Sequence, residues 1–72
     1  MSYRLIVEHD GNYSDEELEE CVGKKSSGAG TDLITNTRDV EWTYRSLPNA
    51  LYGFNRLTTK KKLTKLALEK QL

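Results

Sequence analysis

Apolar and polar residues alternate from Tyr3 to Glu8, with Tyr3, Leu5 and Val7 on one side and Arg4, Ile6 and Glu8 on the other. A period of two predicts a strand with one largely apolar face. The turn cluster Asp10-Gly11-Asn12 closes it. The period then changes. Leu18, Cys21 and Val22 recur at i, i+3, i+4, which predicts a helix over 15–22. Ser14 and Glu17 have the S-x-x-E spacing of a capping box, and Gly23 is a natural stop. Five acids between Asp15 and Glu20 lie near the positive end of that helix dipole.

Gly23 to Thr31, with the sequence GKKSSGAGT, has no periodicity and predicts a flexible connector. Two hairpin strands follow, over Asp32–Thr35 and Asp39–Arg45, with the bend at Asn36-Thr37. In the second, Val40, Trp42 and Tyr44 alternate with Glu41, Thr43 and Arg45, and its β-branched and aromatic content fits a half-buried sheet. Ser46 and Pro48 then open a helix from Leu47 to about Thr59. Its apolar stripe is Leu47, Ala50, Leu51, Phe54 and Leu57, and Gly53 weakens it slightly. The tail supports two patterns. Leu63, Leu66 and Ala67 suit a helix extension, whereas Leu66 and Leu68 alternating with Ala67 and Glu69 suit a strand over 65–72. The strand is preferred, because it completes the order β-α-β-β-α-β.

That order resembles the split β-α-β, or ferredoxin-like, arrangement. It implies a small two-layer α+β sandwich, an antiparallel sheet under two helices, with residues 1–72 as a single domain. An architecture of this kind does not bring a function with it.

Composition narrows the choice. At 72 residues the chain buries a modest core, which argues against a deep enclosed active site. The single cysteine, Cys21, excludes an internal disulfide framework. The first residues lack a signal-peptide layout and no apolar run reaches membrane-spanning length, so a cytoplasmic protein is expected. His9, Asp10 and Asp15 are too few and too irregular for a metal site, and no cofactor motif is present. GKKSSGAGT has the residue types of a phosphate loop in the wrong order and after a helix instead of a strand. Its glycine amides offer at most a weak anion contact. His9 and Cys21 are the only parts of a nucleophilic pair, and Cys21 falls on an apolar helix face. A non-enzymatic protein is the expectation.

The net charge of zero is unevenly spread. Residues 1–36 carry three basic against eight acidic side chains, and residues 37–72 the reverse, giving −5 and +5. In a ferredoxin-like fold the acidic start of the first helix lies near the basic end of the second, so the split has a structural explanation. It also offers two binding surfaces. Asp15, Glu16, Glu19 and Glu20 suit a basic groove on a partner protein; Arg56, Lys60, Lys61, Lys62 and Lys65 suit nucleic acid phosphates. Base stacking on the sheet is disfavoured, because Tyr3, Trp42 and Tyr44 share the face that packs under the helices. The sheet edges remain as a third surface, open to a partner or to a second copy, and the short strand over 32–35 has little charge to deter pairing. The leading expectation is a protein-binding regulator or inhibitor, of the kind bacteriophages and mobile elements direct at host machinery. A nucleic-acid-binding module using the 56–65 segment is the alternative.

Overall fold

The computed structural model describes residues 1–71. Its elements run β1 (Ser2–His9), α1 (Asp15–Val22), β2 (Gly28–Asp32), β3 (Thr37–Tyr44), α2 (Leu47–Lys60) and β4 (Lys65–Gln71). The strands form one antiparallel sheet in the order β2-β3-β1-β4, the ferredoxin-like arrangement. Among the described residues no helix is long and apolar enough to cross a membrane.

Each element has a local cause. Ser14 Oγ accepts the Glu17 amide at 3.1 Å and Glu17 Oε1 accepts the Ser14 amide at 3.1 Å, so both halves of the α1 capping box are made. Gly23 ends α1 with φ +82°, a left-handed conformation that suits glycine. The tail is a strand through residue 71, and Leu72 lies outside the described residues. Leu66 and Leu68 pair with Val7 and Leu5 in register, so the aliphatic side chains of β4 fall on the same face as those of β1.

That face carries the core. Leu5, Val7, Val40, Trp42 and Tyr44 pack under Leu18, Cys21 and Val22 of α1 and Ala50 and Leu57 of α2. Tyr3, Phe54, Leu66 and Leu68 close its margins. The stripe expected on α2 is rotated. Leu47 and Leu51 are exposed, and Gly53 is buried in their place. The reason is close approach. A Cβ at Gly53 would stand 2.7 Å from the Tyr44 hydroxyl and 3.2 Å from both Leu5 Cδ2 and Val22 Cγ1. Gly53 therefore sets how near α2 comes to both the sheet and α1.

The hairpin is displaced from its expected position. The first strand is not 32–35 but Gly28–Asp32, and residues 33–36 form the turn. The connector expected to be flexible is short and fastened at each step. The Gly23 and Lys24 amides bond Glu19 O. Trp42 Nε1 donates to Lys24 O at 2.8 Å, and Lys24 Nζ donates to Thr43 O at 2.6 Å. Glu19 Oε2 accepts from both the Ser26 amide and hydroxyl at 2.9 Å. The Ser27 amide then reaches Glu41 O at 2.7 Å, and β2 begins.

Candidate protein-interaction surface

Of the four acids expected to bind a partner, Glu16, Glu19 and Glu20 line one shallow depression with Lys24 and Lys25, and Asp15 stands apart from them. Asp15 is held by Arg38, whose Nη2 and Nε lie 2.7 and 3.2 Å from its two carboxylate oxygens. Glu19 is occupied with Ser26. Glu16 and Glu20 remain exposed.

The basic set is also divided. Arg56 Nε donates to Cys21 O, and Nη1 donates to the Tyr52 hydroxyl at 3.2 Å while the guanidinium lies over that ring. It serves as a cap on the last turn of α1. Lys61 lies over the Tyr13 ring, 5.1 Å from its centroid, and the Lys62 amide donates to the Tyr13 hydroxyl. Lys65 stands opposite Glu8 in the β1–β4 register, on the sheet face turned away from the helices. Lys60 and Lys62 are exposed at the end of α2. The acidic and basic halves of the chain do approach each other here, through Lys61 and Lys62 at Tyr13 and through the Asp15–Arg38 pair; among the described residues no lysine forms an ion pair with an acid of α1.

The strongest surface feature lies elsewhere. β2 is an edge strand, so one side of its backbone has no strand beside it. Residues 29–32 are exposed and carry no lysine and no proline. The strand runs straight into Leu33 and Ile34, which are 87% and 96% exposed, more than any other large apolar residues of the described chain. These two do not dangle. Asp32 Oδ1 accepts the Ile34 amide at 2.9 Å and the Thr35 amide at 3.4 Å. The Thr35 and Thr37 hydroxyls bond at 2.8 Å, and Asn36 takes φ +56°. An Asx-type turn thus presents two aliphatic side chains to solvent beside an open strand edge.

No family model, curated protein or solved structure matches the chain. The surface has to be read from its own chemistry.

Neither His9 nor Cys21 is placed to react with a solute. His9 is 1% exposed, its Nδ1 accepts the Gly11 amide at 3.0 Å, and its ring meets Tyr13 edge-on at 5.8 Å. The ring proton is thereby assigned to Nε2, which has no partner among the described residues. The Cys21 thiol is 7% exposed and faces Arg56 O at 3.6 Å. Among the described residues no three His, Cys, Asp or Glu side chains gather to hold a metal ion.

The Asp15–Arg38 pair gives a pH prediction. The hydrogen bonds from Arg38 hold the Asp15 carboxyl below its ordinary value. A carboxyl lowered on folding contributes stability above its unfolded pKa of about 3.9 and loses it as pH falls through the lower folded value. Asp15→Asn is therefore expected to lower Tm at pH 7. The gap from wild type should close progressively below about pH 4. Thermal melts followed by circular dichroism from pH 7 to pH 2 check this. A gap of constant size would mean that the pair contributes nothing.

Proposed function

We propose that the protein is a non-enzymatic binding module, a regulator or inhibitor that takes an extended segment of another protein onto the outer edge of β2. The observation that carries this reading is the continuity of that open edge, which carries no lysine, arginine or proline, with the two exposed side chains Leu33 and Ile34. Backbone groups along an edge supply the hydrogen bonds of strand addition, and neighbouring side chains supply anchors. The fastened turn holds Leu33 and Ile34 in place before a partner arrives, which reduces the ordering cost of binding. The nucleic-acid reading loses support, because Arg56 and Lys61 are engaged within the fold and Lys65 lies on a different face.

Affinity capture from lysate tests the proposal, with nuclease treatment and at low and moderate salt. Wild type and Leu33→Asp/Ile34→Asp are run in parallel. Both side chains lie in solvent, so the double variant keeps the wild-type circular dichroism spectrum. A discrete protein held by wild type should be lost by about tenfold or more in the variant, the scale expected for two removed aliphatic anchors. Equal retention would place the contact elsewhere. Recovery of nucleic acid alone, falling steeply with salt, would move the function to Lys60 and Lys62.

A further inference from the structure

The face of the sheet turned away from the helices has a gap along β2. Gly28 and Gly30 pair with Glu41 and Asp39 and share their face, so β2 carries no side chain there until Asp32. A Cβ on Gly30 would meet nothing within 4 Å, so packing does not require that glycine. The gap opens into a depression of about 560 Å³ whose walls include Asp39, Glu41, Arg4 and Lys65. Glycine within a strand is a common mark of close approach by another backbone or ligand.

On β2 and β3, beside the gap itself, the charged side chains of this face are acidic; the two basic walls, Arg4 and Lys65, stand farther across the sheet on β1 and β4. Asp39 is exposed and makes no ion pair among the described residues. Asp32 stands at the end of the same strand, its carboxylate engaged with turn amides. Glu41 shares Arg4 with Glu69, and the guanidinium sits closer to Glu69, at 2.9 Å against 3.6 Å. Arg38, the basic residue nearest in sequence, is drawn to the other face by Asp15.

Resting on the binding mode proposed above, we infer that the strand added to β2 carries Lys or Arg at alternate positions. Such a strand would lie about 4.8 Å from β2 and about 9.6 Å from β3. Its side chains at every second position would point to the open face. With no Cβ on Gly28 or Gly30, a long basic side chain can cross β2 flat and meet Asp39 and Glu41. The intervening positions meet Ala29 and Thr31, whose hydroxyl accepts from Arg38 Nη1 at 2.8 Å; a guanidinium already stands on that face, so a further basic residue is not called for there.

A second copy of the chain fits poorly. A two-fold β2–β2 pair centred on Gly30 would set Asp32 of each copy opposite Gly28 of the other, with Glu41 one strand behind, so that acid approaches acid. The β4 edge of a second copy would bring Glu69 to the same face as Lys65, spoiling the alternation. The occupant is thus a basic extended segment of a different protein.

The test uses two synthetic peptides of equal composition, one with lysine alternating with threonine and one with the lysines in a block. Each is titrated into the isotope-labelled protein at moderate salt. The alternating peptide should bind about fivefold more tightly, the scale of two partly exposed ion pairs. Its shift changes should centre on residues 28–32, and Asp39→Asn should remove most of the preference. Equal binding of the two peptides would overturn the inference, as would shifts centred on Glu16 and Glu20, or indifference to Asp39→Asn. Concentration-dependent dimers in sedimentation that vanish in Leu33→Asp/Ile34→Asp would overturn it in favour of a second copy. If the peptides are not distinguished but that double variant still loses a captured protein, only the charge pattern falls and the edge remains the binding site. If the double variant changes nothing either, both readings fall together.

Discussion

Trp42→Phe is expected to destabilise the protein by about 2 kcal/mol, and Trp42→Ala by about 3–5 kcal/mol. Trp42 is fully buried and is the chain's one tryptophan. Phenylalanine keeps an aromatic ring in the core but leaves a void. It also deletes the Nε1 hydrogen bond to Lys24 O. A domain of this size has a total stability of roughly 4–10 kcal/mol. The alanine variant should therefore be largely unfolded at 37 °C, while the phenylalanine variant stays folded with a lower urea midpoint. The lost hydrogen bond makes a second, local prediction. Lys24 lies in the connector that delivers the chain to β2, so amide exchange in Trp42→Phe should accelerate most at Ser26, Ser27 and along β2. Uniform acceleration over the whole sheet would show that Trp42 acts on the core alone and does not fasten the connector.

Gly53→Ala should also destabilise, by about 1–3 kcal/mol, against the ordinary rule for helices. Alanine is the better helix former by about 1 kcal/mol, and an exposed mid-helix glycine would gain from the change. Here the new methyl would stand 2.7 Å from the Tyr44 hydroxyl and 3.2 Å from two aliphatic carbons. Helix α2 would have to move off the sheet or Tyr44 would have to turn. Tyr44→Phe removes the nearest atom, so the double variant should recover about 1 kcal/mol relative to Gly53→Ala. That coupling would appear in a double-mutant cycle of urea unfolding. A stabilised Gly53→Ala would show that α2 sits farther from Tyr44 and Leu5 than described.

The fold was legible in the sequence where local pattern and tertiary demand agree. Ser14 and Glu17 specify the start of α1 from four residues alone, and the alternation of Val40, Trp42 and Tyr44 needs no context to read as a strand. The tail was balanced between two patterns because Leu66 serves either. The long-range pairing of Leu66 and Leu68 with β1 decides it, and no local window contains that information. β2 was misplaced for a related reason. Gly-Ala-Gly has neither alternation nor β propensity, so its strand is imposed by β3 and by the fastened connector before it. Leu33-Ile34-Thr35 has the composition of a strand, yet Asp32 and the left-handed Asn36 bend it into a turn. The candidate site depends on the same register. The edge was identified as a contact surface, but only the correct register places two glycines beside Asp39 and Glu41 and leaves Leu33 and Ile34 in solvent. The charge clusters named from the sequence were real as composition. Side chains such as Asp15, Glu19 and Arg56 were already committed to neighbours that lie far away along the chain.

The pairing of Ser2 with Gln71 has a bearing on how the fold can be handled. The first and last described strands leave the sheet as neighbours, at the end opposite the turn over 33–36. A host protein could therefore carry this unit spliced into one of its surface loops, entering and leaving at adjacent points. The hairpin tip would project away from the host, like a probe on a short stem, with its edge free along the full length of β2.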